Sequence, residues 1–242
     1  MSEMTMHSYE AICKRIPELS EDDYSDMQRL YLAHYDGGTA DQVRADLQDK
    51  NEVILVFFQD EMIGFTTLKV YEHMWEGKEI RIVFSGDTIV DRAHWGQQTL
   101  AFAWIAKMGT LKQEKPDLPM YWFLIVKGHR TYKYLPVFGK SFYPHWEIDR
   151  SDLKPLADDL AMKRFGSDYN PATGIVEFTH SKGHLKAEIA LPTDEERAKD
   201  SVRFFLERNP KYIQGHELVC LCEISEQNMK PLTKRIFRKG LQ

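Results

Sequence analysis

Hydrophobic and polar positions follow two periods along this chain, and the change between them predicts strands and helices in a mixed order. Continuous apolar runs at residues 53–58 and 119–126 are typical of buried strands. In residues 97–112 the apolar positions recur every three or four residues, which predicts a helix. The whole pattern predicts a strand, two helices, three strands, a helix, a strand and a helix. An α/β fold follows from this order.

Residues 82–100 combine a long strand, a glycine turn and the start of a helix. The strand is predicted to end at Val90 and the helix to begin at about Gln97, with Gly96 in the turn. A glycine there lets backbone N–H groups approach a phosphate, and a helix N-terminus adds partial positive charge. The alternative is an ordinary connection whose glycine only permits tight packing. Gly86, inside the strand, predicts a bulge or a close approach by another group.

The segment Val90-Asp-Arg-Ala-His-Trp-Gly-Gln-Gln resembles the acyl-CoA-binding turn of the GNAT superfamily of N-acyltransferases. The positions that match the family's valine, aromatic, glycine and polar residue are Val90, His94, Gly96 and Gln97. Trp95 stands where arginine is usual, and Gln98 stands where a second glycine is usual. The order of predicted elements also agrees with that family.

The resemblance implies a GNAT-like fold, with a mixed, largely antiparallel central sheet flanked by helices. Residues 1–146 would form the acyltransferase core. Residues 147–242 would form an α+β C-terminal extension that completes the sheet and covers the substrate side.

The resemblance also implies a cofactor, acyl-CoA or acetyl-CoA as acyl donor, and no metal. The residues implied to contact it are Ile89, Val90, Trp95, Gly96, Gln97, Gln98 and Thr99. Backbone at Ile89 and Val90 would polarise the thioester, and the turn would hold the phosphates. Without the usual arginine and second glycine the grip on a diphosphate is weaker. A donor on an acyl-carrier protein lacks the adenosine diphosphate and tolerates that loss.

Candidate catalytic groups come from the same comparison. Asp87 is the carboxylate nearest the implied thioester, as a base or as a partner for a substrate ammonium, and Glu79 is a second carboxylate on that strand. Tyr134 has the spacing of the family's tyrosine that protonates the departing thiolate, and Tyr132 is next. The alternatives are a surface aspartate and core tyrosines.

Two other groups of residues have open interpretations. His129 and Arg130 would meet phosphates or an acidic substrate, or else are solvated residues at a helix start. Six aromatic residues between positions 132 and 146 would line an acyl pocket or plug the space between core and extension: Tyr132, Tyr134, Phe138, Phe142, Tyr143 and Trp146.

Composition narrows the classes of function. In 242 residues the formal charge is −5, which argues against non-specific nucleic-acid binding. Neither a basic flank before an apolar run nor about 18 consecutive apolar residues occurs, so we expect a cytoplasmic protein with no membrane span. The nine histidines show no metal spacing, and Cys13, Cys220 and Cys222 are expected to be reduced.

The last third of the chain predicts a hairpin of residues 174–178 and 185–191 around a tip from His180 to His184, then a helix that begins at Thr193. The basic residues 230–239 are expected to form a solvated helix with one packed face.

These expectations together describe an N-acyltransferase that acts on a small-molecule or peptide amine by direct attack in a ternary complex. The alternatives are a non-catalytic protein of GNAT shape that binds a lipid-like ligand or a protein partner, and a different α/β enzyme.

Overall fold

The computed structural model describes residues 8–179 and 182–242. The strands are β1 (Tyr9–Arg15), β2 (Tyr35–Asp36), β3 (Glu52–Phe58), β4 (Glu61–Trp75), β5 (Lys78–Val90), β6 (Met120–Val126), β7 (Tyr169–Asn170), β8 (Ile175–Val176), β9 (His184–Leu185) and β10 (Glu217–Glu223). The helices are α1 (Glu21–His34), α2 (Ala40–Leu47), α3 (Thr99–Glu114), α4 (His129–Tyr132), α5 (Tyr134–Phe138), α6 (Lys154–Phe165), α7 (Ala187–Ala190), α8 (Asp194–Arg197), α9 (Asp200–Arg208) and α10 (Pro231–Gly240).

Eight strands form one sheet in the order β1-β3-β4-β5-β6-β10-β8-β7. Every neighbouring pair is antiparallel except β5 and β6, which run parallel. The prediction of a mixed, largely antiparallel sheet is confirmed. Residues after 146 add β7, β8 and β10 to this sheet, while the division of the chain into two domains stays a prediction.

Helices cover both faces of the sheet because successive side chains of a strand point to opposite faces. On β3, Ile54 and Val56 pack with α3 and α10, whereas Val53 and Leu55 pack with α1 and α2. Farther along the sheet, α6 covers the face that carries Phe84. The inner strands β3, β6 and β10 are therefore buried on both faces, whereas the edge strand β1 is mostly exposed.

The last helix of the predicted order, with His129 and Arg130 at its start, is interrupted. It forms two short pieces, α4 and α5, separated at Lys133. Pro136 has no N–H to donate to the carbonyl of Tyr132, so the helical hydrogen bonds cannot run through this point. The break places Tyr134 at the start of α5.

The predicted hairpin in the last third of the chain is wrong. Leu185 pairs with Tyr35 in a separate two-stranded sheet, and Lys186 N–H donates to His34 O at 3.0 Å. Residues 187–190 are helical because Ala and Glu favour a helix and the carbonyl of Lys186 accepts the first helical bonds. Two residues of the predicted tip, His180 and Ser181, lie outside the described residues.

The basic C-terminal segment forms α10, which packs one face on α3. Thr233, Ile236 and Phe237 are buried there, and Gly109 of α3 allows the contact because a Cβ at that position would lie 2.1 Å from Phe237 O. This agrees with the prediction of a helix with one packed face. Within the described ranges, no helix is both long enough and apolar enough to cross a bilayer.

Candidate functional site

The candidate site is a gap between the two parallel strands of the sheet. Pairing of β5 with β6 ends at Ser85 and Leu124, although β5 continues to Val90. Three cavities open from the gap, and Thr88 and Thr131 line all of them. One is a small apolar cavity of about 40 Å³. The other two are the turn cleft, of about 340 Å³ beside residues 94–97, and the Asp87 cavity, of about 410 Å³.

A bulge in β5 marks the start of the gap. Thr66 pairs with Thr88 and Leu68 pairs with Ser85, so Thr67 alone stands opposite Gly86 and Asp87. A Cβ on Gly86 would lie 2.4 Å from Thr67 Oγ1, so a side chain has no room there. Both predictions made for Gly86 from the sequence, a bulge and a close approach by another group, are confirmed. The bulge turns Asp87 into the cavity that bears its name.

The backbone at Val90 is directed into the gap. Asp91 N–H donates to Ile63 O at 2.7 Å, which makes Val90 and Gly64 a non-hydrogen-bonded pair. In such a pair the N–H and C=O point away from the partner strand. The carbonyl of Val90 accepts the Trp95 indole N–H at 2.9 Å. The Val90 N–H, on the same side, is available to polarise a carbonyl placed in the gap.

The turn before α3 lines the turn cleft through residues 94–97. Gly96 has φ +98°, a conformation that favours glycine, and a Cβ there would meet only open space. The helix begins at Thr99 rather than at the predicted Gln97, because Gln98 has non-helical angles and its side chain makes no cap. Gln97 Oε1 accepts the N–H of Thr99 at 2.6 Å. No other described side chain caps the amides of that first turn.

Glu196 lies in the turn cleft and neutralises the cations opposite the turn. Arg130 stacks on the Trp95 ring at 4.6 Å and donates to Glu196 Oε2 at 2.9 Å, while Lys133 donates to Glu196 Oε1 at 3.0 Å. Burial alone raises the pKa of Glu196. The hydrogen bond from Thr193 N–H and the two cations outweigh that effect and lower the pKa to about 2. Glu196 is therefore charged at any working pH.

His129 is buried beneath these charges. Neither of its ring nitrogens makes a hydrogen bond within the described part of the chain, and Nε2 lies 3.4 Å from Glu196 Oε2. Burial first, and then the charge of Arg130, lower the pKa of His129 to about 4. The imidazole is neutral near pH 7. Of the two predicted anion contacts, only Arg130 carries a charge.

Asp87 is a half-buried carboxylate that accepts no hydrogen bond from the described residues. Its pKa is raised to about 6, first by burial and then by the charge of Asp46, with a smaller effect of the same sign from Glu217. Lys127 and Lys50 act in the opposite direction. A carboxylate with a pKa near 6 is mostly ionised at neutral pH and is a stronger base than an ordinary aspartate.

The structure separates the two candidate tyrosines. Tyr134 lines both the turn cleft and the small apolar cavity, and burial raises the pKa of its phenol, which stays protonated at neutral pH. Tyr132 is fully buried and donates to Pro144 O at 2.7 Å. Glu79 is exposed at the opposite end of β5 from Asp87. Only Tyr134 and Asp87 of these four groups line the cavities that meet at the gap.

Most of the aromatic segment lies in the core instead of a pocket. Tyr132 contacts Phe142, Phe204 and Phe205 with ring centroids about 6 Å apart, and the last two belong to α9. This is the plug between core and extension, one of the two readings from the sequence. Tyr134 and Phe138 are the exceptions, since both line the small apolar cavity.

Several residues of the site have no local signal in the sequence. Lys50 and Glu217 reach the Asp87 cavity from a turn after α2 and from β10. The helix predicted to begin at Thr193 is present as α8, and Glu196 forms a capping box with Thr193. A capping box gives no indication that the Glu196 carboxylate lies across the turn cleft from Trp95. That position depends on the path of residues 182–198.

Comparison with solved structures finds N-acyltransferases. A probable N-acyltransferase from Enterococcus faecalis V583 is 9% identical over 64% of this chain and 44% of that chain, with a TM-score of 0.41. A GCN5-related N-acetyltransferase from Kribbella flavida is 12% identical over 78% of this chain and 50% of that chain, with a TM-score of 0.40. The GNAT family N-acetyltransferase YhbS from Escherichia coli, in complex with CoA, is 12% identical over 52% of this chain and 68% of its own, with a TM-score of 0.37.

The chain thus spans half or less of the length of the first two of these proteins. No protein-family profile matches it, and no curated protein matches it. The likenesses are similarities of fold and carry no conclusion on activity.

Proposed function

We propose that this protein is an N-acyltransferase that moves an acyl group from a thioester of CoA or of phosphopantetheine to an amine. The observation that carries the proposal is the gap after Ser85 and Leu124, which joins the turn cleft to the Asp87 cavity at Thr88 and Thr131. A donor and an acceptor that enter from opposite sides meet there without an acylated protein intermediate. The fold it shares with N-acyltransferases is consistent with this arrangement.

The turn cleft suits the thioester. Its carbonyl oxygen would accept the N–H of Val90, which is directed into the gap, and this stabilises the negative charge of the tetrahedral intermediate. The uncapped first turn of α3 would face the phosphates of the donor. Glu196 already pairs with Arg130 and Lys133, so these cations would contribute little to the binding of donor phosphates. A donor with fewer phosphates therefore loses less binding free energy in this cleft. A phosphopantetheine thioester on an acyl-carrier protein is such a donor.

The Asp87 cavity suits the amine. Asp87 would take a proton from the substrate ammonium or from the attacking nitrogen as the new C–N bond forms. The C–S bond then breaks, and the thiolate takes the proton of the Tyr134 hydroxyl. Asp87 and Tyr134 line cavities on different sides of Thr88, so the base and the acid act on the two ends of the reacting centre.

Titration calorimetry and product analysis test the proposal. The purified protein is titrated with acetyl-CoA, a long-chain acyl-CoA and an acyl-phosphopantetheine, and N-acylated products are measured by mass spectrometry with a panel of amines. We expect micromolar binding of at least one thioester and an N-acyl product. If no thioester binds and no amine is acylated, the proposal is wrong.

A binding protein without catalysis is the second candidate, because Glu196 fills part of the turn cleft with a charge that repels phosphates. The same titrations distinguish it. Stabilisation against heat by a fatty acid, with no response to any thioester, would favour the binding protein.

A further inference from the structure

The Asp87 cavity has a polar frame of two internal ion pairs. Lys50 Nζ lies 2.6 Å from Asp46 Oδ2, and Lys127 Nζ lies 3.3 Å from Glu217 Oε1. The side chains of Lys50, Lys127 and Glu217 are nearly or fully buried. Each pair largely satisfies its own charges, so neither cation needs a ligand. Asp87 stays as the carboxylate of this cavity with no ion pair to any described residue.

The opposite end of the cavity holds two cations on a row of aromatic rings. The Arg164 guanidinium lies 3.9 Å from the centroid of Phe84, and Lys182 Nζ lies 4.7 Å from that of Phe178. Phe165 joins the row, with ring centroids 6.4 Å from Phe84 and 5.9 Å from Phe178. Arg164 and Lys182 are thus connected through one apolar wall.

Both cations keep donors that no described residue uses. Arg164 gives one N–H to Asp49, a carboxylate outside the cavity that also binds Lys69, and its Nη1 makes no hydrogen bond within the described ranges. Lys182 is exposed and makes no ion pair with the described residues. Arg164 and Lys69 share the carboxylate of Asp49, so this end of the cavity has a net positive charge.

The two ends lie near each other along β5. Phe84, which carries Arg164, and Asp87 are three residues apart, and a regular strand advances about 3.3 Å per residue, so the separation along the strand is at most roughly 10 Å. The bulge at Gly86 and Asp87 shortens it. Between them lies an apolar wall of Phe84 and Phe165, bordered by Lys50, whose Nζ is 5.8 Å from the centroid of Phe84 and is paired with Asp46.

We propose that the acceptor is an amine that also carries an anionic group within roughly 10 Å of its nitrogen, with an apolar segment between the two. This inference rests on the proposed function, which it makes more specific. The amine would lie at Asp87, and the anion would lie between Arg164 and Lys182. A diamine of the same length is disfavoured, because its second ammonium would meet these cations.

Three probes of equal length test the inference: ω-amino-octanoate, octylamine and octane diamine. Calorimetry measures their binding without any acyl donor, and acylation of each is measured separately. We expect ω-amino-octanoate to bind about tenfold more tightly than octylamine, as one charge-assisted contact allows, and the diamine to bind most weakly. An ω-amino phosphonate of the same length shows whether a carboxylate or a phosphate is preferred.

The variant Lys182→Gln should reduce the preference for ω-amino-octanoate several-fold and leave the binding of octylamine unchanged. Its side chain is exposed, so the fold is expected to tolerate the change. Lys211→Gln, another exposed lysine outside the cavity, is the matched control. Arg164→Gln should have the larger effect, and Arg164→Lys should restore part of the preference.

Equal binding of octylamine and ω-amino-octanoate would overturn the inference, as would a preference that survives both Lys182→Gln and Arg164→Gln. Acylation of all three probes without preference would also overturn the inference, although it would support the proposed function. The expected order of binding with no acylation by any thioester would support the inference and contradict the proposed function.

Discussion

The two cavities that meet at the gap differ in how their charges are satisfied. In the Asp87 cavity the ion pairs Lys50–Asp46 and Lys127–Glu217 form among the walls, and Asp87 has no ion-pair partner among the described residues. In the turn cleft the reverse holds, because Glu196 binds the available cations. One cavity therefore presents an unused charge to a ligand, whereas the other presents backbone amides and a carboxylate that a phosphate would have to displace.

This difference indicates where binding energy and where catalysis would come from. A carboxylate with a raised pKa is held ready for proton transfer at a cost in stability. A neutralised cleft stabilises the free protein and weakens its hold on an anionic ligand. The following substitutions alter one cavity at a time.

Asp87→Asn should have the largest effect on activity. Loss of a general base lowers kcat/KM by about 10²- to 10⁴-fold. In the unmodified protein the rate should rise with pH through about 6 and then level, because Asp87 must lose its proton to act. The charged groups that set this value are Asp46 and Glu217, which raise it, and Lys50 and Lys127, which lower it.

The control is Glu79→Gln, a carboxylate on the same strand that is exposed at its other end. It should leave the rate and its pH dependence unchanged. A pH profile of Asp87→Asn that keeps the rise near 6 would show that another group is the base.

Asp87→Asn should also increase the stability of the folded protein at neutral pH. The pKa of Asp87 is raised from 3.8 to about 6 in the folded state, so its contribution to stability is fully present below about pH 4 and is lost as pH rises through about 6. The ionised carboxylate then costs about 3 kcal/mol. Urea unfolding of both proteins at about pH 4 and about pH 8 measures this, and a difference that does not grow with pH would contradict it.

Tyr134→Phe should lower kcat about tenfold with little change in KM, less than Asp87→Asn, because a thiolate of pKa ~8.5 leaves readily without an acid. Steady-state kinetics measure the two constants. Tyr132→Phe is the matched control: its hydroxyl bonds Pro144 O in the core, so it should cost about 1 kcal/mol of stability and leave kcat unchanged. If Tyr132→Phe lowers kcat more than Tyr134→Phe does, the assignment is wrong.

The comparison of the two cavities also shows which features the sequence predicts. The strand, glycine turn and helix of residues 82–100 are contiguous, so their order and the bulge at Gly86 were predictable from local patterns. The helix start was misplaced by two residues because the angles of Gln98 depend on the turn as a whole. Local sequence patterns predict these features because the hydrogen bonds that form them join residues close in the chain.

The charges of both cavities come instead from residues distant in sequence. Glu196 meets Arg130 across 66 positions, and Lys50 approaches Gly86 from a different element. An ion pair of this kind depends on the path of residues 182–198, and the wrongly predicted hairpin overlapped that stretch. A single sequence holds no periodic signal for such contacts.

Glu196→Gln should have the smallest effect and the most specific one. With Arg130 and Lys133 released, a donor phosphate would gain a charge-assisted contact, and the affinity for acetyl-CoA should rise roughly fivefold. The gain should shrink at high salt and should be absent for an acyl-phosphopantetheine that lacks the adenosine diphosphate. Calorimetry at two salt concentrations measures both effects. Glu195→Gln, an exposed neighbour on α8, is the control. If the affinity for acetyl-CoA falls instead, Glu196 holds the cleft in shape for the donor, and the contrast between the two cavities is one of rigidity and not of available charge.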